Sequence, residues 1–293
     1  MFLQIDHTTH YRYEAPVGFT PHLLRFLPRT APGLHLLRST LTISPEASVK
    51  WNLDLIGNLV GRATFPGLAE ELCIQSSLLI EQRMNDPFDF LLDSEALQLP
   101  IIYGERERSL LTPFLQRLDE SAPEVLEEWL RPFLYRNTST LAVLIAINSA
   151  IRTSFLYSSR HTQGVWSVKE LFEKREGTCR DFAHFFIEVT RSLGIAARYV
   201  SGYLCASPQG GEGESNTHGW CELYLPGAGW RGFDPTNGIL ADAHHVVVAA
   251  SLEAGDIPPV QGTYCGAPDL CIAHEASISA RELLTSSLPH HDL

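Results

Sequence analysis

The stretch Gly177-Thr178-Cys179-Arg180-Asp181-Phe182-Ala183-His184 opens the run that most constrains this chain. Phe182, Phe185, Phe186, Val189 and Leu193 recur at helical spacing, so the run reads as a buried amphipathic helix. Gly194 is a natural stop for it. Thr178 is the expected N-cap, which puts Cys179 in the first turn. A thiol at that position feels the positive end of the helix dipole, and its thiolate is favoured. Two later stretches are organised around it. One is His218-Gly219-Trp220-Cys221-Glu222-Leu223-Tyr224-Leu225. The other is Gly229-Trp230-Arg231-Gly232-Phe233-Asp234-Pro235. Cysteine, histidine and aspartate, on a helix and two strands, are the residue types of a nucleophile, its base and the group that orients the base.

Three further stretches extend the pattern: Gly177 to Tyr203, His218 to Gly238, and His245 to Gly266. Near the start stand Tyr11-Arg12-Tyr13 and Leu24-Arg25-Phe26-Leu27-Pro28-Arg29. At these residues the sequence resembles the bacterial transglutaminase-like proteins, a branch of the papain-like cysteine enzymes, over nearly its whole length. The resemblance implies an α+β fold. Its catalytic core would be papain-like or transglutaminase-like, a helix packed on an antiparallel sheet, beside an N-terminal β-sandwich-like domain. It also implies cysteine-dependent acyl transfer on peptide or protein amides through a thioester, with the catalytic set Cys179, His218 and Asp234. Substrate, and the choice among hydrolysis, transamidation and deamidation, do not follow from it. A non-catalytic peptide-binding module on the same fold is the alternative, and the presence of all three residue types counts against it.

A chain of 293 residues accommodates two domains with ample core. Strand-like runs punctuated by Pro and Gly fill 1–85, the expected N-terminal β domain. A linker and helical part, 86–160, follows. Ser121-Ala122-Pro123-Glu124 and Asn137-Thr138-Ser139 mark the starts of two helices in it. The catalytic core is expected over 161–266, and a C-terminal strand and tail over 267–293. The glycine-rich stretch Ser207 to Thr217 reads as a loop that could cover the site.

The net charge of −12 argues against a nucleic-acid partner. No apolar stretch reaches the ~20 residues of a membrane helix, and the start has no signal-peptide pattern. The expected location is the cytoplasm, with a peptide or protein substrate as partner and no membrane association. No CxxC pair occurs among the six cysteines. Five are expected as small buried hydrophobes, leaving Cys179 as the reactive thiol. No cofactor is expected. A metal site is disfavoured, because His218 and Cys221 face opposite sides of a strand and the pairs His244-His245 and His290-His291 diverge.

His184 is a rival base, but it lies about 140° around the helix from Cys179 and points elsewhere. Asp181 is expected to bond backbone or Tyr203. The Cys179 backbone N–H is the expected oxyanion donor, with Trp166 a weak second candidate. The chemistry also fixes a strand register. If Tyr224 pairs with Trp230, Trp220 lies opposite Asp234, and the carboxylate shares a face with His218 as its diagonal neighbour at ~7–8 Å between backbones. Pairing Leu225 with Trp230 would put Asp234 beside Cys221 and break the set.

Overall fold

The computed structural model describes residues 1–84, 86–136, 139–160, 164–206 and 217–283. The loop expected over 207–216 and the tail 284–293 lie outside the described residues. Among those described, six strands come first: β1 Phe2–Phe19, β2 His22–Leu24, β3 Leu34–Ser44, β4 Ser48–Leu53, β5 Leu59–Thr64 and β6 Leu68–Gln82. Helices α1 Glu105–Leu115, α2 Pro123–Arg136 and α3 Thr140–Ser154 follow. Next come β7 Leu156–Tyr157, α4 Val168–Lys174, β8 Glu176–Gly177 and α5 Cys179–Ser192. The chain closes with β9 Ala197–Leu204, β10 Thr217–Leu225, β11 Gly229–Asp234, β12 Ile239–Leu240, β13 His245–Ser251, β14 Val260–Gln261, β15 Tyr264–Cys265 and β16 Cys271–Leu283.

The fold is α+β. Its N-terminal part is two antiparallel sheets, one ordered β15-β1-β6-β3 with β16 also on β1, the other β14-β2-β5-β4. Tyr13, Val17 and Phe19 of β1, Leu24 of β2, Ala63 of β5, and Leu72 and Ile74 of β6 are buried together between them. That shared apolar layer is what makes two sheets a sandwich. The sequence boundary at 266 is not a boundary in space. Val260–Gln261 and Tyr264–Cys265, expected in the catalytic core, pair with β2 and β1. The last strand pairs along β1 from Phe2↔Leu283 to Tyr13↔Cys271. A long first strand needs partners on both edges to satisfy its backbone groups, and the C-terminal segment supplies one. This placement also exposes Cys265 and Cys271, and leaves Cys73 partly buried. Only Cys205 and Cys221 follow the expected burial.

A third sheet, β12-β11-β10-β9-β13, is antiparallel throughout and carries α5 on one face. Phe182, Phe185, Phe186 and Val189 are buried against Cys221, Leu223 and Leu225 of β10 and Phe233 of β11. The other side of α5 is apolar as well. Phe185 meets Trp129 of α2 at 5.0 Å and Phe172 of α4 at 5.4 Å between ring centres. The helix is thus wrapped on nearly all sides, and Gly194, at φ +74°, turns the chain out of it. Phe186→Ala should cost about 3–5 kcal/mol in a denaturant titration, because the cavity between α5 and Phe233 cannot close around a fixed sheet. A loss below about 1 kcal/mol would mean that α5 is not the centre of this core.

The sandwich meets this third sheet along β9 and β13. Leu3, Ile5, Leu78 and Ile80 join Tyr203, Val246 and Val248 in one buried cluster. His7 Nδ1 lies 2.9 Å from the Tyr203 hydroxyl. The register of β13 on β9 shifts between Val247 and Ala249. Beyond the shift, Asn58 pairs with the backbone of Ala250 on this edge strand: its Nδ2 donates to the Ala250 carbonyl and its Oδ1 accepts from the Ala250 N–H, both at 2.8 Å.

Candidate active site

Thr178 caps α5 and Cys179 is its first residue. Asp181 fixes this corner. Its Oδ2 accepts from the Thr178 N–H at 2.7 Å and the Thr178 hydroxyl at 2.8 Å. Its Oδ1 accepts from the Trp166 N–H at 2.7 Å and Arg160 Nη2 at 2.9 Å. A carboxylate in the first turn suits the helix dipole, and here it also ties the preceding loop to the helix start. Tyr203 is not a partner, contrary to one expectation, since its hydroxyl goes to His7. Trp166 spends its backbone N–H on Asp181, while Arg160 and Lys174 lie over its ring at 4.3 and 5.0 Å.

The register of β10 and β11 is the one the chemistry requires. Tyr224 pairs with Trp230, and Cys221 with Phe233. The ladder continues one pair further than expected, to Leu225↔Gly229, so the turn itself is only Pro226 to Ala228. Asp234 therefore falls on the His218 side, with Oδ2 at 2.8 Å from His218 Nε2. The Cys179 thiol and the His218 ring each shift the other's pKa, and the Gly219 N–H also acts on the sulfur. Glycine is required there, since a Cβ on residue 219 would stand 2.3 Å from the Tyr199 hydroxyl.

The electrostatics follow from these contacts. Burial alone would raise the Cys179 pKa. The hydrogen bond and charge of His218, the Gly219 N–H and the Arg180 charge outweigh it and bring the thiol below its ordinary value. Burial would likewise lower the pKa of His218, but Asp234 and the Cys179 sulfur together lift it well above the usual imidazole range. Asp234 is fully buried, yet the hydrogen bonds and charges of His218 and His245 hold it well below the usual carboxylate range. These are the shifts of a thiolate facing an imidazolium. Cys205 moves the other way, pushed up to about 12 by burial and by the charge of Asp242.

Sequence reasoning missed three residues here. Tyr199 stands beside Gly219 and feels the Cys179 charge. Tyr157, paired with Gly177, also feels that charge and is half exposed. His245 sits behind Asp234, with Nε2 at 3.2 Å from Oδ2. Only the strand itself was legible in advance, not which residue its first side chain would meet. His184 is turned away to Asp119 Oδ2 at 3.2 Å. His218, Asp234 and His245 have ligand-type atoms within 4.8 Å of one another, the one grouping among the described residues that could hold a metal ion. All three atoms are already joined by hydrogen bonds.

The Bacterial transglutaminase-like N-terminal region matches residues 3–81, and the Transglutaminase-like superfamily matches residues 128–235. The chain belongs to the bacterial transglutaminase-like proteins. An uncharacterized protein of Mycobacterium tuberculosis is 30% identical over 276 residues, 88% of this chain and 86% of the relative. An uncharacterized protein of Mycobacterium leprae is 27% identical over 293 residues, 93% of this chain and 97% of that one. Among solved structures, one from Cytophaga hutchinsonii, provisionally described as a cysteine protease, superposes with a TM-score of 0.70. It is 18% identical, with 96% of this chain and 90% of that chain covered, and it supports the fold alone. No described helix of this transglutaminase-like chain is long and apolar enough to cross a membrane.

Proposed function

We propose that this protein is a cysteine-dependent acyl-transfer enzyme acting on peptide or protein amides through a thioester, with Cys179 as nucleophile, His218 as acid and base, and Asp234 as orienter. What supports this reading is the 2.8 Å contact of His218 Nε2 with the buried Asp234 Oδ2, together with Cys179 at the start of α5, whose pKa His218 lowers. The thiolate adds to the amide carbonyl carbon and a C–S bond forms. The oxyanion meets the Cys179 backbone N–H at the helix start. His218 gives its proton to the nitrogen as the C–N bond breaks, and an amine leaves. Now neutral, His218 takes a proton from water or a second amine as that group attacks the thioester. The C–S bond breaks and the thiolate returns. Asp234 keeps one ring N–H of His218 engaged, so the nitrogen towards the sulfur handles the moving proton. Amide hydrolysis or modification is the favoured outcome. The proposed location is cytoplasmic.

Thiol labelling tests the resting state. With iodoacetamide at pH 6, Cys179 should alkylate faster than the exposed Cys265 and Cys271, because a thiol whose pKa is lowered holds more thiolate there. Cys205 and Cys221, whose thiols burial pushes up, should stay unlabelled. Peptide mapping that finds Cys179 no faster than Cys265 would remove the basis for the proposed chemistry.

A further inference from the structure

Acyl transfer by Cys179, His218 and Asp234 calls for one imidazole, but Asp234 holds two. Its Oδ2 accepts from His218 Nε2 at 2.8 Å, His245 Nε2 at 3.2 Å and Asn237 Nδ2 at 2.6 Å. Its Oδ1 accepts from the backbone of Thr236 at 3.0 Å and Asn237 at 3.3 Å. His245 is in turn held from behind: its Nδ1 lies 2.9 Å from Asp242 Oδ1, and the Asp242 backbone N–H reaches the same nitrogen at 3.1 Å. The ring is buried, and Trp220 meets it edge-on at 5.2 Å. A histidine in such a place, with a carboxylate at each nitrogen, has one orientation and no exchange with water. The charged and titratable groups facing it are Asp234 from β11, Asp242 from the turn before β13, and His218 from β10. Its neighbour His244 shares Asp242, with its backbone N–H 2.9 Å from Oδ1 and its Nδ1 3.5 Å from Oδ2, while its Nε2 lies 3.4 Å from Glu282 of β16.

During turnover His218 changes charge, and the carboxylate beside it loses an ion-pair partner when the proton leaves. A carboxylate free to rotate would then release the ring. We propose that His245, anchored by Asp242, is a positioning residue that clamps Oδ2 of Asp234, so that the carboxylate keeps its grip on His218 Nε2–H and its other nitrogen stays aimed at Cys179 in both charge states. This role rests on the acyl-transfer reading above and deepens it. A partner behind a reactive ring that fixes its tautomer is a common way of holding it in place.

The test is the pH dependence of Cys179 alkylation by iodoacetamide, followed by peptide mapping in the full-length protein. In His245→Ala the acidic limb of the profile should rise by about one unit, and the rate at pH 6 should fall about tenfold. His245→Gln, whose amide nitrogen can stand where Nε2 stood, should restore most of the rate. An unchanged profile in His245→Ala overturns the proposal. So does an equal rise in both variants, because taking a positive charge away from the neighbourhood of the thiolate raises the thiol pKa whichever neutral residue replaces the ring. If His245→Ala does not fold, Asp242→Ala decides. Its carboxylate is 34% exposed and lies outside the core, and a loss in rate of about threefold supports the clamp, whereas wild-type behaviour overturns it. Failure of the acyl-transfer reading looks different: wild-type Cys179 would then show no enhanced alkylation at pH 6 at all.

Discussion

Cys179→Ala should abolish amide-directed activity, with kcat falling roughly a million-fold, the scale seen when a covalent nucleophile is deleted from a triad-type site. The fold should survive. Cys179 is only partly buried, it sits at the first position of α5 rather than in the cluster around Phe182 and Phe186, and alanine is the better helix former. The thermal midpoint should therefore stay within a few degrees of wild type, by the usual scaling of about 1 kcal/mol to a few degrees. The measurement is mass spectrometry of intact protein incubated with a peptide-amide library. Wild type should gain acyl mass and the alanine variant should not. An acyl adduct that persists in Cys179→Ala would place the nucleophile elsewhere and sink the proposed mechanism.

Asp234 carries the second large effect, and it is felt in both rate and stability. Asp234→Asn keeps the shape but offers an N–H to the nitrogen of His218 that needs an acceptor. The ring answers by flipping its tautomer, and the nitrogen towards Cys179 then carries a proton it cannot use as a base. The expected loss is roughly ten-thousand-fold in kcat. Asp234→Ala adds a structural penalty of about 3–5 kcal/mol, because His218 and His245 lose their shared acceptor inside the protein. The pH dependence has a definite sign. Asp234 has a folded pKa below its unfolded one, so its contribution is complete above the ordinary carboxylate pKa and is lost as pH falls through the folded value. His218 has a folded pKa above its unfolded one, so its contribution is complete below the ordinary imidazole pKa and fades as pH rises through the folded value. Denaturant titrations of wild type should thus show stability held from about pH 5 to 6.5 and falling on both sides. Asp234→Ala should flatten both limbs, and a variant with wild-type curvature would mean that neither shift arises from this pair.

The elements legible in the sequence are those written by local pattern. The burial of Phe182, Phe185, Phe186 and Val189 repeats at helical spacing, Thr178 and Gly194 bracket the run, and α5 spans Cys179–Ser192. The alternation from His218 to Leu225 assigned faces, and the need to join His218 to Asp234 chose between two registers. The register found, Tyr224↔Trp230, is the one that joins them. Each of these rests on neighbours within a few residues, or on a turn short enough to fix its own pairing. The same spacing singled out His218 and Asp234, and the structure brings those two together at 2.8 Å.

Tertiary structure alone decided what depends on segments far apart in the chain. β16 has the composition of any exposed strand, and nothing local says that it returns to pair with β1. The same holds for Tyr264–Cys265, which left the expected catalytic core for the first sheet and carried Cys265 to the surface with it. His245 showed the same limit at the site. In the sequence it is the first residue of an apolar run, beside another histidine and eleven residues after Asp234. It becomes a partner of Asp234 only because β13 crosses to the far edge of the sheet beside β9 and the turn at Asp242 swings its ring inward. Periodicity records which face of an element is apolar. It does not record which distant element covers that face, since the choice is made by the summed burial and hydrogen bonding of the whole chain.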